Sequence, residues 1–438
     1  MKVVILGGGE SGKGAALLAK KLGYDCFLSD SGQLKAEHKD VLVRHNIRFE
    51  EGGHNFDTIL EADLIIKSPG IPDKSEVMKA IRSKGIKTIS EIEFGALHCQ
   101  SKILAVTGSN GKTTTSALLY HVLKSAGRNV EIAGNYGYSF AGLLAEKQAE
   151  FVVLEISSFQ LDDIDTFKPH ISTILNITPD HLDRYEYKME KYVASKFRIT
   201  RNQEETDFFI YNGDDKEILN FLDQANVKAS KLAITSSDYA SGVKKKNGED
   251  FEMRLIGKHN RFNARVVVEM ARLAGLNDEE IAIGLADFES LAHRLEWVAD
   301  VNGVRYINDS KATNVDSVFY ALDAIDTDII WIAGGTDKGN DYEVLKPLAK
   351  QKVKTLICLG IDNDKLKQSF VDTIPTIMET TKVSIAVSMA GESSQPGNTV
   401  LLSPACASFD LFKNYMDRGD QFKAEVLEYK QKIEKTTR

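Results

Sequence analysis

Short apolar runs alternate along this chain with longer stretches whose apolar positions recur every three or four residues. In the first block the runs fall at 3–6, 26–29, 64–67 and 88–90, with helical spacing over 15–22. A second block has runs at 103–106, 151–154 and 171–175, and helical stretches at 116–124, at 189–200 and up to 274. The third begins near 291, with runs at 329–333, 355–359, 383–387 and 400–402, each expected as a strand. Strand and helix in alternation argue for parallel, doubly wound sheets.

The loops after the runs carry the candidate chemistry. The run at 103–106 leads into Thr107-Gly108-Ser109-Asn110-Gly111-Lys112-Thr113-Thr114, and helical spacing follows. Strand, glycine-bearing loop, Lys-Thr and helix is an arrangement that cradles phosphate. Backbone N–H groups and the helix N-terminus face the oxygens, Lys112 adds a point charge, and the Thr113 hydroxyl can ligate Mg²⁺. The usual motif has Gly where this chain has Val106, so the spacing also fits a glycine-rich turn of another α/β domain. Gly7-Gly8-Gly9-Glu10-Ser11-Gly12 is a Gly-x-Gly-x-x-Gly opening a helix, and Asp30 closes the second run, where a carboxylate can meet a ribose hydroxyl. NAD is the default ligand of that pattern, and a uridine diphosphate can use the same turn. Glu155, at the end of its run, is a candidate Mg²⁺ ligand.

Composition narrows the class. Hydrophobic content of 42% and charged content of 27% belong to an ordinary globular protein. A formal charge of −8 argues against a nucleic-acid surface. No apolar run approaches the ~18 residues of a membrane span, and the chain starts directly on a strand, so no secretory signal is expected. Cys26, Cys99, Cys358 and Cys406 have neither metal-ligand nor disulfide-framework spacing. The expectation is a cytoplasmic protein acting on small molecules, with no nucleic acid and no membrane as partner.

Taken in order, the loops resemble the Mur ligase family over nearly the whole length. The resemblance rests on Thr-Gly-Ser-Asn-Gly-Lys-Thr-Thr at 107–114, Glu-Ile-Ser-Ser-Phe-Gln-Leu at 155–161 and His-Leu-Asp-Arg at 181–184. It continues through Gly-Lys-His-Asn-x-x-Asn at 257–263, His293-Arg294, Asn-Asp-Ser-Lys-Ala-Thr-Asn at 308–314 and Leu-Ser-Pro-Ala-Cys-Ala-Ser at 402–408. The last two, with the N-terminal glycine motif, favour the member that adds D-glutamate. The family is similar in its shortened phosphate loop.

The resemblance implies an α/β fold of three domains: a Rossmann-like N-terminal domain at 1–98, a central P-loop ATPase-like domain with a parallel sheet at 99–290, and a Rossmann-like C-terminal domain at 291–438. It implies an ATP-dependent ligase joining D-glutamate to UDP-N-acetylmuramoyl-L-alanine through an acyl phosphate, in peptidoglycan precursor synthesis, with Mg²⁺. Lys112, His181, Lys196 and Lys311 would be catalytic, and Lys196 carbamylated, with the positive charge of Lys112 and the metal easing loss of its proton. Thr113, Glu155, His181 and Lys196 would serve the metal. Gly108, Ser109, Asn110, Gly111, Lys112, Thr113, Thr114, Asn260, Asn263, Arg294 and Asp309 would contact ATP. Ser11, Asp30, Ser31, Ser68, Pro69, Gly70, Asn135 and His181 match the uridine-nucleotide substrate's site, and Thr313, Lys338, Ser408, Phe409 and Tyr415 that of D-glutamate.

Two other classes are open to these residues. A nicotinamide-dependent oxidoreductase would explain Gly7 to Gly12 and Asp30 but not the phosphate loop. A non-catalytic ATP-binding switch would explain the phosphate loop without an amino-acid site. Among ligases, other Mur relatives and folyl-polyglutamate enzymes share the central block.

Overall fold

The structure, a computed structural model, describes residues 1–180 and 182–436. The chain divides into two compact units, Met1–Glu252 with Phe262–Ala286 and Met253–Arg261 with Asp287–Arg438.

The first unit holds two parallel sheets. β1 (Lys2–Leu6), β2 (Asp25–Ser29), β3 (Arg48–Glu50), β4 (Leu64–Lys67) and β5 (Thr88–Ser90) are ordered β3-β2-β1-β4-β5. Helices cover both faces, which is why β1 and β4 are continuous apolar runs: Val3 to Leu6 and all of β4 are buried. The second sheet contains β6 (Lys102–Thr107), β7 (Val130–Gly134), β8 (Phe151–Glu155), β9 (Ile171–Ile174), β10 (Phe208–Asn212) and β11 (Ser230–Ile234), in the order β11-β10-β9-β6-β8-β7. The chain runs from β6 out to β7, returns to β8 and crosses to β9 on the far side of β6. Open α/β sheets bind ligands at such a switch, outside the carboxyl ends of the strands.

One apolar cluster joins these two sheets, including Leu18, Phe94, Phe140 and Ile103. The buried Glu93 carboxylate reinforces it by accepting the N–H groups of Asp165, Thr166 and Phe167 at 2.8 to 2.9 Å. Removing so many partners from buried donors would cost about 1–3 kcal/mol each, so the segment 165–167 is fixed against the first sheet's last helix.

The second unit holds β12 (Glu296–Val301), β13 (Val304–Asn308), β14 (Ile329–Gly334), β15 (Val353–Leu359), β16 (Thr376–Thr380) and β17 (Thr399–Ala405), ordered β12-β13-β17-β14-β15-β16. All neighbours are parallel except β12 and β13, an antiparallel hairpin. Its turn is Asn302-Gly303, with φ of 50° and 75°, the mirror-image turn that suits strand twist.

One expected strand is a helix. Residues 383–387 open the helix Val383–Glu392, and its buried Val383, Ala386, Val387 and Ala390 recur at helical spacing. A short apolar run does not distinguish the two states by periodicity. The edge strand is β16, Thr-Ile-Met-Glu-Thr, too polar to stand out. Among the described residues, no helix is long and apolar enough to cross a membrane.

Candidate active site

β6 delivers Thr107 to the carboxyl edge of the central sheet, and residues 108–111 turn the chain into the helix Lys112–Ser125. Gly111 caps that helix with φ 83°, a conformation open to glycine, and a side chain there would press on Asn263. The segment after β9 pins the loop. Ser109 N–H donates to Asn176 O at 2.9 Å, Asn110 N–H to Asn176 Oδ1 at 2.8 Å, and Ser109 Oγ to Thr178 O at 2.9 Å.

Two amines converge on this loop. Lys112 Nζ donates to the carbonyls of Gly108 and Ser109, each at 2.8 Å. Lys196 Nζ, from the helix Met189–Phe197, donates to the same Gly108 carbonyl at 2.9 Å and lies 4.5 Å from the Tyr192 ring centre. Lys196 is 1% exposed. Burial, and after it the charge of Lys112, push its pKa well below the usual lysine range. The sequence argument named only the neighbouring positive charge; burial is the larger cause. Burial thus shifts Lys196 toward its neutral amine.

The amines line a cavity of about 220 Å³ with Pro69, Gly70, Asn135 and Asp180. Residues expected for two different substrates, Pro69-Gly70 after β4 and Lys112 after β6, thus meet at one opening within the first unit. Asn135 Nδ2 donates to Glu155 Oε1 at 2.7 Å, while Glu155 Oε2 is buried without a partner. An unpartnered buried carboxylate oxygen is costly unless a cation meets it. That orphan oxygen fits a divalent ion, and Thr113 is buried as the second residue of the helix that follows the phosphate loop. Among the described residues no group of three or more His, Cys, Asp or Glu is placed to hold a metal ion. His181 lies outside the described residues.

The remaining first-unit residues sit around the glycine motif. Asp30 takes the N–H groups of Gly8 and Gly32 on its two carboxylate oxygens, so it shapes the loop as well as facing its mouth. Ser68 Oγ donates to Gly7 O at 3.3 Å. Ser11 is half-buried in the first helix, and Ser31 is exposed.

In the second unit the predicted residues collect at the carboxyl ends of β13, β14 and β17. Asp309, just past β13, accepts Ser403 Oγ at 2.9 Å and Leu295 N–H at 3.2 Å. Its pKa is pushed up to about 7 by burial, against the opposing charge of Arg294. Lys311 Nζ lies 4.0 Å from the Tyr415 ring centre. Ala407 and Thr336 exchange backbone hydrogen bonds, which join the loop of Ser408 and Phe409 to that of Lys338. Lys338 is exposed, Phe409 is 69% exposed, and Ser408 is buried. Thr313 is half-buried on the loop after Lys311. Asn260, in this unit, donates from Nδ2 to Ile256 O at 2.8 Å, whereas Asn263 belongs to the first unit beside Gly111.

Several residues were not found from sequence. Tyr192 is one helical turn before Lys196, and that spacing was a usable signal. Ser195 Oγ and Tyr185 OH both reach the half-buried Asp162 carboxyl, at 2.7 and 3.1 Å. Arg418, one turn after Tyr415, is fully buried and donates to the carbonyls of Ser310, Gly334 and Cys406. No motif pointed to it.

Three family models match the chain: MurD N-terminal domain over residues 2–77, Mur ligase middle domain over 106–271, and Mur ligase, glutamate ligase domain over 293–406. The chain belongs to the Mur ligase family. Its relatives include UDP-N-acetylmuramoylalanine–D-glutamate ligase of Christiangramia forsetii, 49% identical over 97% of this chain and 99% of that one. The protein of the same name from Bacteroides fragilis is 44% identical over 98% of this chain and 99% of its own. Among solved structures, UDP-N-acetylmuramate-alanine ligase from Thermotoga maritima shares the fold with a TM-score of 0.61 at 19% identity, over 99% of this chain and 100% of that one. MurF ligase from Thermotoga maritima, in complex with ADP, aligns at a TM-score of 0.60 and 15% identity, over 94% of this chain and 95% of that one.

Proposed function

We propose that the chain is an ATP-dependent ligase that joins D-glutamate to the carboxylate of UDP-N-acetylmuramoyl-L-alanine, in cytoplasmic peptidoglycan precursor synthesis. The observation that carries the reading is the convergence of Lys112 and Lys196 on the Gly108 carbonyl, in a cavity shared with Pro69, Gly70 and Asn135. Domain 1–98 takes the uridine nucleotide, 99–290 the ATP, and 291–438 the amino acid.

The substrate carboxylate attacks the γ-phosphorus of ATP, ADP leaves, and the acyl phosphate forms. The amine of D-glutamate then adds to the acyl carbon, and inorganic phosphate departs from the tetrahedral intermediate with loss of a proton from nitrogen. Such chemistry needs positioning and charge neutralisation more than covalent help. Lys112 and the N–H groups of 108–113 hold the phosphates. Thr113 and Glu155 would hold a Mg²⁺, which supplies charge to the transferring group. Lys196, as a neutral amine, adds to CO₂ and releases a proton to become a carbamate; an anion here suits a site that holds a metal cation. Arg294 and Asp309 contact ATP in this reading, with Lys311 near its γ-phosphate, and Thr313, Lys338, Ser408 and Tyr415 take the dicarboxylate.

Phosphate release from ATP, measured with the uridine-nucleotide substrate and with D-glutamate present or absent, tests the reading. Release should require both. Release that ignores D-glutamate but follows another amino acid would reassign the substrate within the family.

A further inference from the structure

Arg294 sits between two residues in the left-handed region, His293 at φ 64° and Leu295 at φ 44°. Leucine rarely enters that region because its Cβ crowds the backbone. Such residues persist where their surroundings over-determine them, and they concentrate at functional sites.

Two acids over-determine this turn. Glu296, the first residue of β12, accepts His293 N–H on Oε2 at 2.9 Å and Asn308 Nδ2 on the same oxygen at 3.0 Å, and its Oε1 takes the Lys423 ammonium. Asp309 accepts Leu295 N–H. The carbonyl of His293 accepts Lys311 N–H at 3.0 Å, which fastens the turn to the loop that carries Lys311. Burial keeps the His293 ring below the usual histidine range, and as a neutral ring its Nδ1 accepts Asn308 Nδ2 at 3.0 Å. The ring lies against Gly419, where any side chain would collide with it. The His293 N–H and carbonyl and the Leu295 N–H, flanking Arg294, are thus tied to the loop after β13 or to the β12 start. Glu296 and Asn308 face each other in the hairpin register, so the open end of the hairpin is the frame.

We infer that Glu296 is the positioning residue for Arg294. It locks the strained turn that carries Arg294, which the His293 carbonyl fastens to the loop of Lys311, and it acts through Arg294 rather than on substrate. This rests on the reading in which Arg294 contacts ATP.

Steady-state phosphate release by Glu296→Ala, Glu296→Gln, Arg294→Ala and the double variant Glu296→Ala/Arg294→Ala tests it. Glu296→Ala should raise KM for ATP about tenfold, ~1.4 kcal/mol, and leave KM for D-glutamate within about twofold. In the Arg294→Ala background it should add nothing, since coupled residues are not additive. Glu296→Gln keeps an acceptor for His293 and Asn308 and should restore most of the ATP affinity, which also covers an alanine variant that fails to fold. An unchanged KM for ATP in Glu296→Ala, or full additivity with Arg294→Ala, overturns the inference. The ¹⁵N relaxation of the Arg294 Nε–H, identified by its disappearance in Arg294→Ala, separates the two claims. It should turn from rigid to mobile in Glu296→Ala, and a signal that stays rigid refutes the lock. If Arg294→Ala leaves KM for ATP unchanged, the nucleotide role of Arg294 fails, while the lock is still decided by that signal.

Discussion

Both units bury an ionisable group at the carboxyl edge of a parallel sheet, and burial drives each toward its neutral form. Lys196 is pushed far below the lysine range and Asp309 up to about 7. The supports differ. Lys196 is held by regular elements: a helix carries it, and a loop between strand and helix accepts its hydrogen bond. Asp309 and its neighbour Arg294 depend on a strained turn, held by side chains from β12, β13 and the last helix. Regular elements place a group by periodicity, so a sequence reveals them. A strained turn is placed by partners far apart in the chain.

The largest effect should come from the regular site. Lys112→Ala removes a charge aimed at the transferring phosphoryl group and should lower turnover by about 10³-fold or more, in line with the loss of one such electrostatic contact. The melting temperature should stay within about 2 °C, because a partly exposed lysine rarely carries stability, and its Nζ bonds carbonyls of its own loop. Normal turnover by the folded variant would remove the phosphate loop from the chemistry.

Lys196→Ala comes next. It should lose most activity and regain part of it when a short-chain carboxylic acid is added to stand where the carbamate would be. The same acid should do nothing for Lys112→Ala. Full activity of Lys196→Ala with CO₂ excluded would leave Lys196 as a buried structural lysine.

The alternation of apolar runs and the loop motifs made the three sheets and their central strands legible, whereas β3, β7, β10, β11, β12, β13 and β16, at or beside the edges, were not among the runs. Lys112 lies five residues past β6 at the end of the loop motif that marked it, Glu155 ends β8, and Asn135, marked by the family resemblance, follows β7 directly. Lys196 was legible by motif, while its burial was not, because that comes from Tyr192, Tyr185 and the phosphate loop closing around it. Glu296 and Arg418 escaped for the opposite reason. Their partners are mostly a backbone N–H, an asparagine amide and three carbonyls, which leave no charge pattern, and the Lys423 that meets Glu296 is 127 residues away in the chain. The helix at 383–392 was misread because a short apolar run broken only by Ser384 satisfies either period.

A smaller effect should appear in stability against pH. The folded pKa of Asp309 is raised above its unfolded value, so its neutral form is the one the fold prefers. Between about pH 4 and 7 the folded state binds the proton more than the unfolded chain does, and ∂ΔG/∂pH of unfolding is negative. This contribution is fully present below about pH 4 and is lost as pH rises through about 7. Denaturant titrations of wild type and Asp309→Asn at pH 5 and 7.5 should show a wild-type loss that the variant lacks. Equal slopes would mean that Arg294 holds Asp309 ionised, and the contrast between the two buried groups would then collapse.

The smallest expected effect separates the frame of the second unit from its lock. Gly303 has φ 75° in the β12–β13 turn, at the far end of the hairpin from Glu296 and Asn308. Alanine must adopt the left-handed region there, at roughly 1–2 kcal/mol, and its Cβ would lie 3.2 Å from the Pro396 Cβ. Gly303→Ala should therefore lower stability by roughly 1–2 kcal/mol in denaturant unfolding. The register at the open end is fixed independently by Asn308, which is parallel-paired with Leu402 of β17 and bonded to Glu296. KM for ATP should accordingly stay as in wild type. If Gly303→Ala raises it as Glu296→Ala is expected to, then the whole hairpin, and not the carboxylate at its mouth, sets the direction of Arg294.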